Sequence, residues 1–177
     1  MNTFREDVER AGAYHGHICS GQCIGVKMAR LGLRLLGLNP EKDRGRIYVF
    51  VECGRCPADA ISIVTGARLG RRTLRAMDYG KVAATFVDLE TNHAVRIQRR
   101  QRRHPADGED MIAFYENLPD EEIFKVQKVA VDLPPCDLPG KPVEVQFCAV
   151  CGEDVTDSRH VVRGGRFLCK SCADGAY

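Results

Sequence analysis

Hydrophobic positions along the chain recur with two periods, and the switch from one to the other marks out a fold before any chemistry is considered. From about residue 21, Ile24, Met28, Leu31 and Leu35 recur at helical spacing with Leu33 and Leu36 beside them, until Gly37 and Pro40 stop the run, which predicts a buried core helix. Upstream, Thr3 and Glu6 stand at capping-box spacing and predict a short helix from 4 to about 12 that delivers the chain to His15. Residues 46–52 are β-rich and mostly apolar, which predicts a central strand, and Pro57 suits the first turn of a helix through Ile61, Ile63 and Val64 to Gly66. Residues 82–89 and 94 to about 98 predict strands joined by a tight turn at Thr91-Asn92. A helix over 110–117 and a last strand over 126–133 complete a mixed α+β domain.

Four of the eight prolines, Pro134, Pro135, Pro139 and Pro142, then fall together. Such a stretch forms neither a helix nor a central strand and behaves as an extended spacer. The chain therefore divides into a core domain over 1–133, a proline-rich linker over 134–142 and a small module over 143–177. In that module Cys148, Cys151, Cys169 and Cys172 form two C-x-x-C pairs at the separation that closes a tetrahedral thiolate site. Four protein ligands leave no open position, so this zinc is structural, and so short a segment holds no core without it.

At 177 residues, with 44% hydrophobic and 28% charged residues and a formal charge of +2, composition is that of an ordinary globular protein. No signal-like apolar run opens the chain and no segment approaches a membrane span, which reads as a soluble, cytoplasmic protein without membrane association. In a reducing compartment nine cysteines are metal ligands or reactive thiols rather than a disulfide framework. After the zinc module, Cys19, Cys23, Cys53, Cys56 and Cys136 remain.

The segment 14–23, Tyr-His-Gly-His-Ile-Cys-Ser-Gly-Gln-Cys, crowds two imidazoles and two thiols ahead of the core helix. Gly16 gives the backbone freedom to turn His15 and His17 toward one point. Cys19 and Cys56 each lie at a helix N-terminus, where exposed N–H groups favour a thiolate. If the two helix starts converge, His15, His17, Cys19 and Cys56 make a mixed nitrogen and sulfur site for zinc or another divalent transition metal, with a position open to water or substrate if fewer than four ligate. Cys23, one turn after Cys19 on an apolar helix, reads as a small core residue. Two other readings stay open. Cys53-Gly54-Arg55-Cys56 between strand and helix is also the layout of a thioredoxin-like redox pair. The histidines, in turn, also suit an ordinary solvated loop.

His15-Gly16-His17-Ile18-Cys19-Ser20-Gly21, then Cys56-Pro57-Ala58-Asp59-Ala60-Ile61 with Thr65-Gly66 and Gly70, then Asp78-Tyr79-Gly80-Lys81, resemble the formylmethanofuran dehydrogenase E-subunit family over about residues 10–90. The C-terminal cysteines resemble the DksA-type zinc finger that some members carry. The resemblance implies an α+β core with a metal-centred active site, a C-terminal zinc finger and a homodimer. It points to His17, Cys19 and Cys56, with His15 close by. Ser20 stands where many members have proline, and Cys53 and Cys23 are additional thiols. The chain has neither a ferredoxin-type cysteine run nor room for a pterin domain, so it is not the molybdenum or tungsten catalytic component of that complex.

Residues 96–104 hold five arginines, enough to contact phosphates, but lack interleaved aromatics and are followed by acidic stretches, so nucleic acid is the lesser reading of this run. The Gly-x-x-x-Gly at 66–70 lacks the Gly-Lys-Ser/Thr of a phosphate loop. The expected protein is a two-domain metalloprotein, whose chemistry, if enzymatic, is metal-assisted activation of water or a small substrate with Asp59 or Lys81 as proton-transfer or binding groups. The alternatives are a non-enzymatic adaptor or regulator that binds protein or nucleic acid through the finger, and a C-x-x-C thiol redox protein.

Overall fold

The computed structural model describes residues 2–175, in two compact units divided between Val131 and Asp132. In the first, helix α1 (Phe4–His15) starts on the capping box the sequence announces. Thr3 accepts the Glu6 N–H at 3.2 Å, and the Glu6 carboxylate accepts the Thr3 N–H at 2.7 Å. Helix α2 (Ser20–Leu36) ends where Gly37 turns left-handed at φ 67°. Strand β1 (Ile47–Val51) leads into helix α3 (Cys56–Thr65), with Pro57 in its first turn, where a missing N–H costs nothing. A short 3-10 turn at Leu69–Arg71 precedes strand β2 (Leu74–Ala76), which the sequence pattern does not reveal.

Strands β3 (Ala83–Asp88) and β4 (Ala94–Arg99), helices α4 (Met111–Asn117) and α5 (Asp120–Ile123), and strand β5 (Phe124–Val129) follow. Asp110 caps α4 by accepting the N–H groups of Ile112 and Ala113. The last strand lies earlier than the 126–133 predicted from apolar residues. Its partner β4 runs only from Ala94 to Arg99, so pairing extends from Phe124 opposite Arg99 to Val129 opposite Ala94.

The five strands form one sheet in the order β2-β1-β3-β4-β5, with β1 and β2 parallel across the α3 crossover and the other pairs antiparallel. Register aligns Val49 with Phe86 and Val95, and Val51 with Ala84 and Ile97. These rows join Ile24, Met28 and Leu31 of α2 and Ile61 of α3 in a single core. A methyl group on Gly25 would lie 2.7 Å from the Ala60 Cβ and 2.7 Å from the Pro57 carbonyl oxygen, so α2 and α3 touch nearly backbone to backbone. Their N-termini lie at the same end, since Gly21 faces Cys56 while Gly25 faces Pro57 and Ala60.

The second unit contains a 3-10 turn at Pro135–Asp137, two hairpins, β6 (Val145–Phe147) with β7 (Asp154–Thr156) and β8 (Val161–Arg163) with β9 (Arg166–Leu168), and the short helix α6 (Lys170–Asp174). Only Asp137 and Cys148 are buried among its described residues. Hydrophobic packing therefore supplies little of its stability. No helix among the described residues is long and apolar enough to cross a membrane.

Candidate metal centres

The core centre assembles at the ends of α1, α2 and α3. His15 is the last residue of α1, and Gly16 closes that helix at φ 97°, a left-handed value that a side chain would resist, with its N–H bonded to the Gly12 carbonyl at 2.8 Å. The reversal folds His17 back beside His15, ring centroids 4.9 Å apart. Cys19 is the N-cap of α2 in extended conformation, and its thiol makes no capping bond. One donor atom each from His15, His17 and Cys19 lies within 4.8 Å of the others. Tetrahedral zinc, with Zn–N about 2.0 Å and Zn–S about 2.3 Å, separates its donors by about 3.3–3.8 Å, so this trio suits such an ion after a small contraction.

Cys56, the first residue of α3, stands outside that trio but beside it. A Cβ on Gly21 would sit 2.9 Å from the Cys56 Cβ and 3.5 Å from the sulfurs of both Cys19 and Cys56. Burial raises the Cys56 thiol pKa, and a hydrogen bond with Cys19 raises it further. The two helix starts thus converge. Gln22, fully buried, strengthens the junction by donating from Nε2 to the Cys56 carbonyl at 2.9 Å, while its Oε1 has no partner among the described residues. The sequence motifs do not single out Gln22; the signal they offer is a polar residue on the buried face of an apolar helix.

Asp59 is one turn into α3, and its Oδ2 lies 2.8 Å from His15 Nδ1. A carboxylate there fixes the ring and leaves Nε2 to face an ion. Lys81 lies elsewhere, exposed, with Nζ 6.0 Å from the Tyr79 ring centroid. Cys23 is fully buried, its pKa pushed up to about 12 by loss of water, as suits a core thiol. Cys53 is buried with its pKa also raised by burial. A cavity of about 310 Å³ lined by Cys53, Asp59, Tyr14, Arg68 and Leu69 opens beside the centre.

In the second unit the donor atoms of Cys148, Cys151, Cys169 and Cys172 also lie within 4.8 Å of one another. Cys148 follows β6, and backbone N–H groups of Cys151, Cys169 and Val150 hold its pKa down at about 6. Cys169 caps α6, its sulfur accepting the Cys172 N–H at 3.3 Å.

Residues 14–125 match the family described as FmdE, molybdenum formylmethanofuran dehydrogenase operon. The chain belongs to the FmdE family. Residues 142–177 match the prokaryotic dksA/traR C4-type zinc finger, so this family member carries a C-terminal zinc finger whose metal-binding cysteines are the four just described. A probable S-adenosyl-L-methionine-binding protein of Archaeoglobus fulgidus is 28% identical over 201 residues, covering 95% of this chain and 52% of that protein. The chain thus spans about half the length of that curated relative. A crystal structure of a tungsten formylmethanofuran dehydrogenase FmdE-like protein from Syntrophus aciditrophicus superposes with a TM-score of 0.62 at 23% identity, over 99% of this chain and 94% of that one. That likeness shows the shared α+β fold.

Proposed function

We propose that this FmdE-family protein is a metalloprotein whose reactive centre is held by His15, His17 and Cys19 with Cys56 as the adjacent fourth donor, and whose finger is purely structural. The observation that carries this reading is the convergence of two imidazoles and a thiol within 4.8 Å from separate helix ends. Nitrogen and sulfur donors together select zinc or another borderline-soft divalent ion over magnesium or calcium. When bound, such an ion supplies Lewis acidity that polarises a small substrate or lowers the pKa of a water.

The chain's own residues supply the remainder. Asp59 holds His15 in the tautomer that presents Nε2, so the ring has one orientation. His17 is exposed, which leaves the centre accessible from solvent on that side. Gln22 locks the first turn of α3 to α2 and fixes the spacing between Cys19 and Cys56. The redox alternative is the weaker one, because Cys56 shares a hydrogen bond with Cys19, a thiol outside the C-x-x-C pair. A cytoplasmic location and a homodimer accompany the main reading, the dimer resting on family resemblance. A monomer in light scattering at micromolar concentration would refute the dimer. The name of the Archaeoglobus relative makes S-adenosyl-L-methionine the first small molecule to titrate against the metal-loaded protein.

Elemental analysis of the full chain tests the central claim. We expect two metals per chain, falling to one in His17→Ala and in Cys19→Ser, with Cys53→Ser unchanged. A single metal in the parent protein, retained in both variants, would overturn it.

A further inference from the structure

The cavity beside the core centre is walled on one side by the edge of the sheet. Parallel pairing aligns Val49 with Leu74 and Val51 with Ala76, so Leu74 and Ala76 of β2 share the helix-facing side with the core residues Val49 and Val51. Helix α3 supplies the facing wall through Ala58, Asp59 and Ser62, which recur at helical spacing. Ala58, Ala76, Gly54 and Gly70 are small, and a volume of about 310 Å³ stays open between helix and sheet edge. Exposed Tyr14 and Leu69 stand at its rim.

The walls are mostly apolar, but the two ends differ in charge. Toward the start of α3 lies Asp59, bonded to His15, and Asp78 Oδ1 would stand 3.6 Å from a Cβ on Gly54. One turn further along α3, about 4.5 Å along its axis, is the buried Ser62, and Arg68 folds back onto it. Arg68 Nη1 donates to the Ser62 carbonyl at 2.7 Å, to Ser62 Oγ at 2.5 Å and to the Ala67 carbonyl at 3.3 Å. These bonds bring the charge itself, and not only its stem, to the wall that Ser62 forms. All three leave from Nη1. The Nε and Nη2 edge has no partner among the described residues, and no carboxylate there pairs with the cation. A guanidinium pinned through one nitrogen has already lost rotamer freedom, so a ligand that takes the remaining edge orders it at little further cost.

We propose that this cavity binds a small organic monocarboxylic acid, with its carboxylate on the Nε and Nη2 edge of Arg68 and its apolar body between Ala58 of α3 and Leu74 and Ala76 of β2. Parallel N–H groups on that edge match the two oxygens of a carboxylate. Asp59 and Asp78 repel an anion from the other end, so the ligand has one orientation. The volume is at the low end of the roughly 300–1,000 Å³ of small-molecule sites and suits a short chain or a single ring. That the far end of the ligand is presented to the metal rests on the proposed function, whereas the binding itself does not.

The test is calorimetric titration of the full-length protein at low ionic strength with hexanoate, with uncharged hexanamide and with hexylammonium. We expect saturable binding of hexanoate, with hexanamide weaker by about tenfold and hexylammonium weaker still. Arg68→Gln should bring hexanoate down to the level of hexanamide and leave hexanamide unchanged, and Arg68→Lys should cost less. Ala76→Leu, at an exposed edge position where the longer side chain fills the void, should abolish binding of both. Should Arg68→Gln unfold, since Nη1 also ties down the end of α3, the three probes on the parent protein and on Ala76→Leu decide the matter. No hexanoate binding at millimolar concentration, hexylammonium tighter than hexanoate, or hexanoate undiminished in Ala76→Leu would each overturn the proposal. A protein that holds two metals per chain yet binds no hexanoate refutes the cavity reading alone. One that binds hexanoate in an Ala76-sensitive way but holds a single metal keeps the cavity and refutes the metal reading.

Discussion

Gly25→Ala is the sharpest test of how the core centre is built, because the added methyl has nowhere to go. It would stand 2.7 Å from the Ala60 Cβ, 2.7 Å from the Pro57 oxygen and 2.8 Å from the Pro57 Cα. Two of those three atoms belong to backbone, which no side-chain rotation can move aside. Alanine gains about 1 kcal/mol over glycine as a helix former, while inserting a methyl into a filled contact costs about 1–3 kcal/mol, or more when backbone must shift. The clash outweighs the propensity, and we expect a net loss of about 1–2 kcal/mol. For a unit of this size that corresponds to a fall in Tm of roughly 4–10 °C. Thermal unfolding followed by circular dichroism at 222 nm reports mainly on the first unit, where the long helices are. Gly45→Ala is the control, since no atom lies within 4 Å of its added methyl and its φ is not positive; it should stay within about 0.5 kcal/mol of the parent. Displacing α3 also draws Cys56 away from Cys19, so Gly25→Ala should release the core metal to a chelator sooner than Gly45→Ala. A Gly25→Ala protein as stable as the parent would refute the close packing of α2 on α3.

Cys148→Ser should remove one metal per chain by elemental analysis and open the second unit to protease, because that unit has almost no buried apolar surface to fall back on; full stoichiometry would refute this. Asp88 gives a pH test. The Arg46 guanidinium, bonded to it at 2.6 and 3.0 Å, with Thr91 and the Glu90 N–H, holds its carboxyl far below the usual range. A depressed folded pKa contributes stability that is present above the unfolded value of about 3.9 and is lost as pH falls through the folded value. Arg46→Met should therefore lower the urea midpoint at pH 7, with a gap that narrows steadily below about pH 4; a gap constant from pH 7 to pH 3 would contradict it.

Local signals carry much of the architecture. Thr3 and Glu6, Gly37, Gly66 and Asp110 mark helix ends through short-range hydrogen bonds, and Pro57 marks a helix start through its fixed φ; none of these needs tertiary context. Strand β2 is invisible in the sequence because its three residues, Leu-Arg-Ala, have no periodicity of their own and become a strand only by pairing with β1. The candidate donors His15, His17 and Cys19 are legible as a group because one short segment contains them all, and the meeting of Cys56 with Cys19 is a condition that helix packing fulfils. Gln22 carries no such mark. What distinguishes it is an unsatisfied group, an orphan amide oxygen, and want of a partner is a property of three-dimensional surroundings.

The Gly16 reversal has a consequence for the order in which the centre assembles. Because His15, His17 and Cys19 are close in sequence, bringing them together costs little loop-closure entropy and needs only the end of one helix and the start of the next. Cys56 arrives from beyond the first strand, and its approach requires α3 to be seated on α2. If the proposed centre takes up an ion, that ion would meet three donors before the fourth, and its residence time on the protein would be a clock for tertiary folding: brief while α3 is loose, long once the helix has docked.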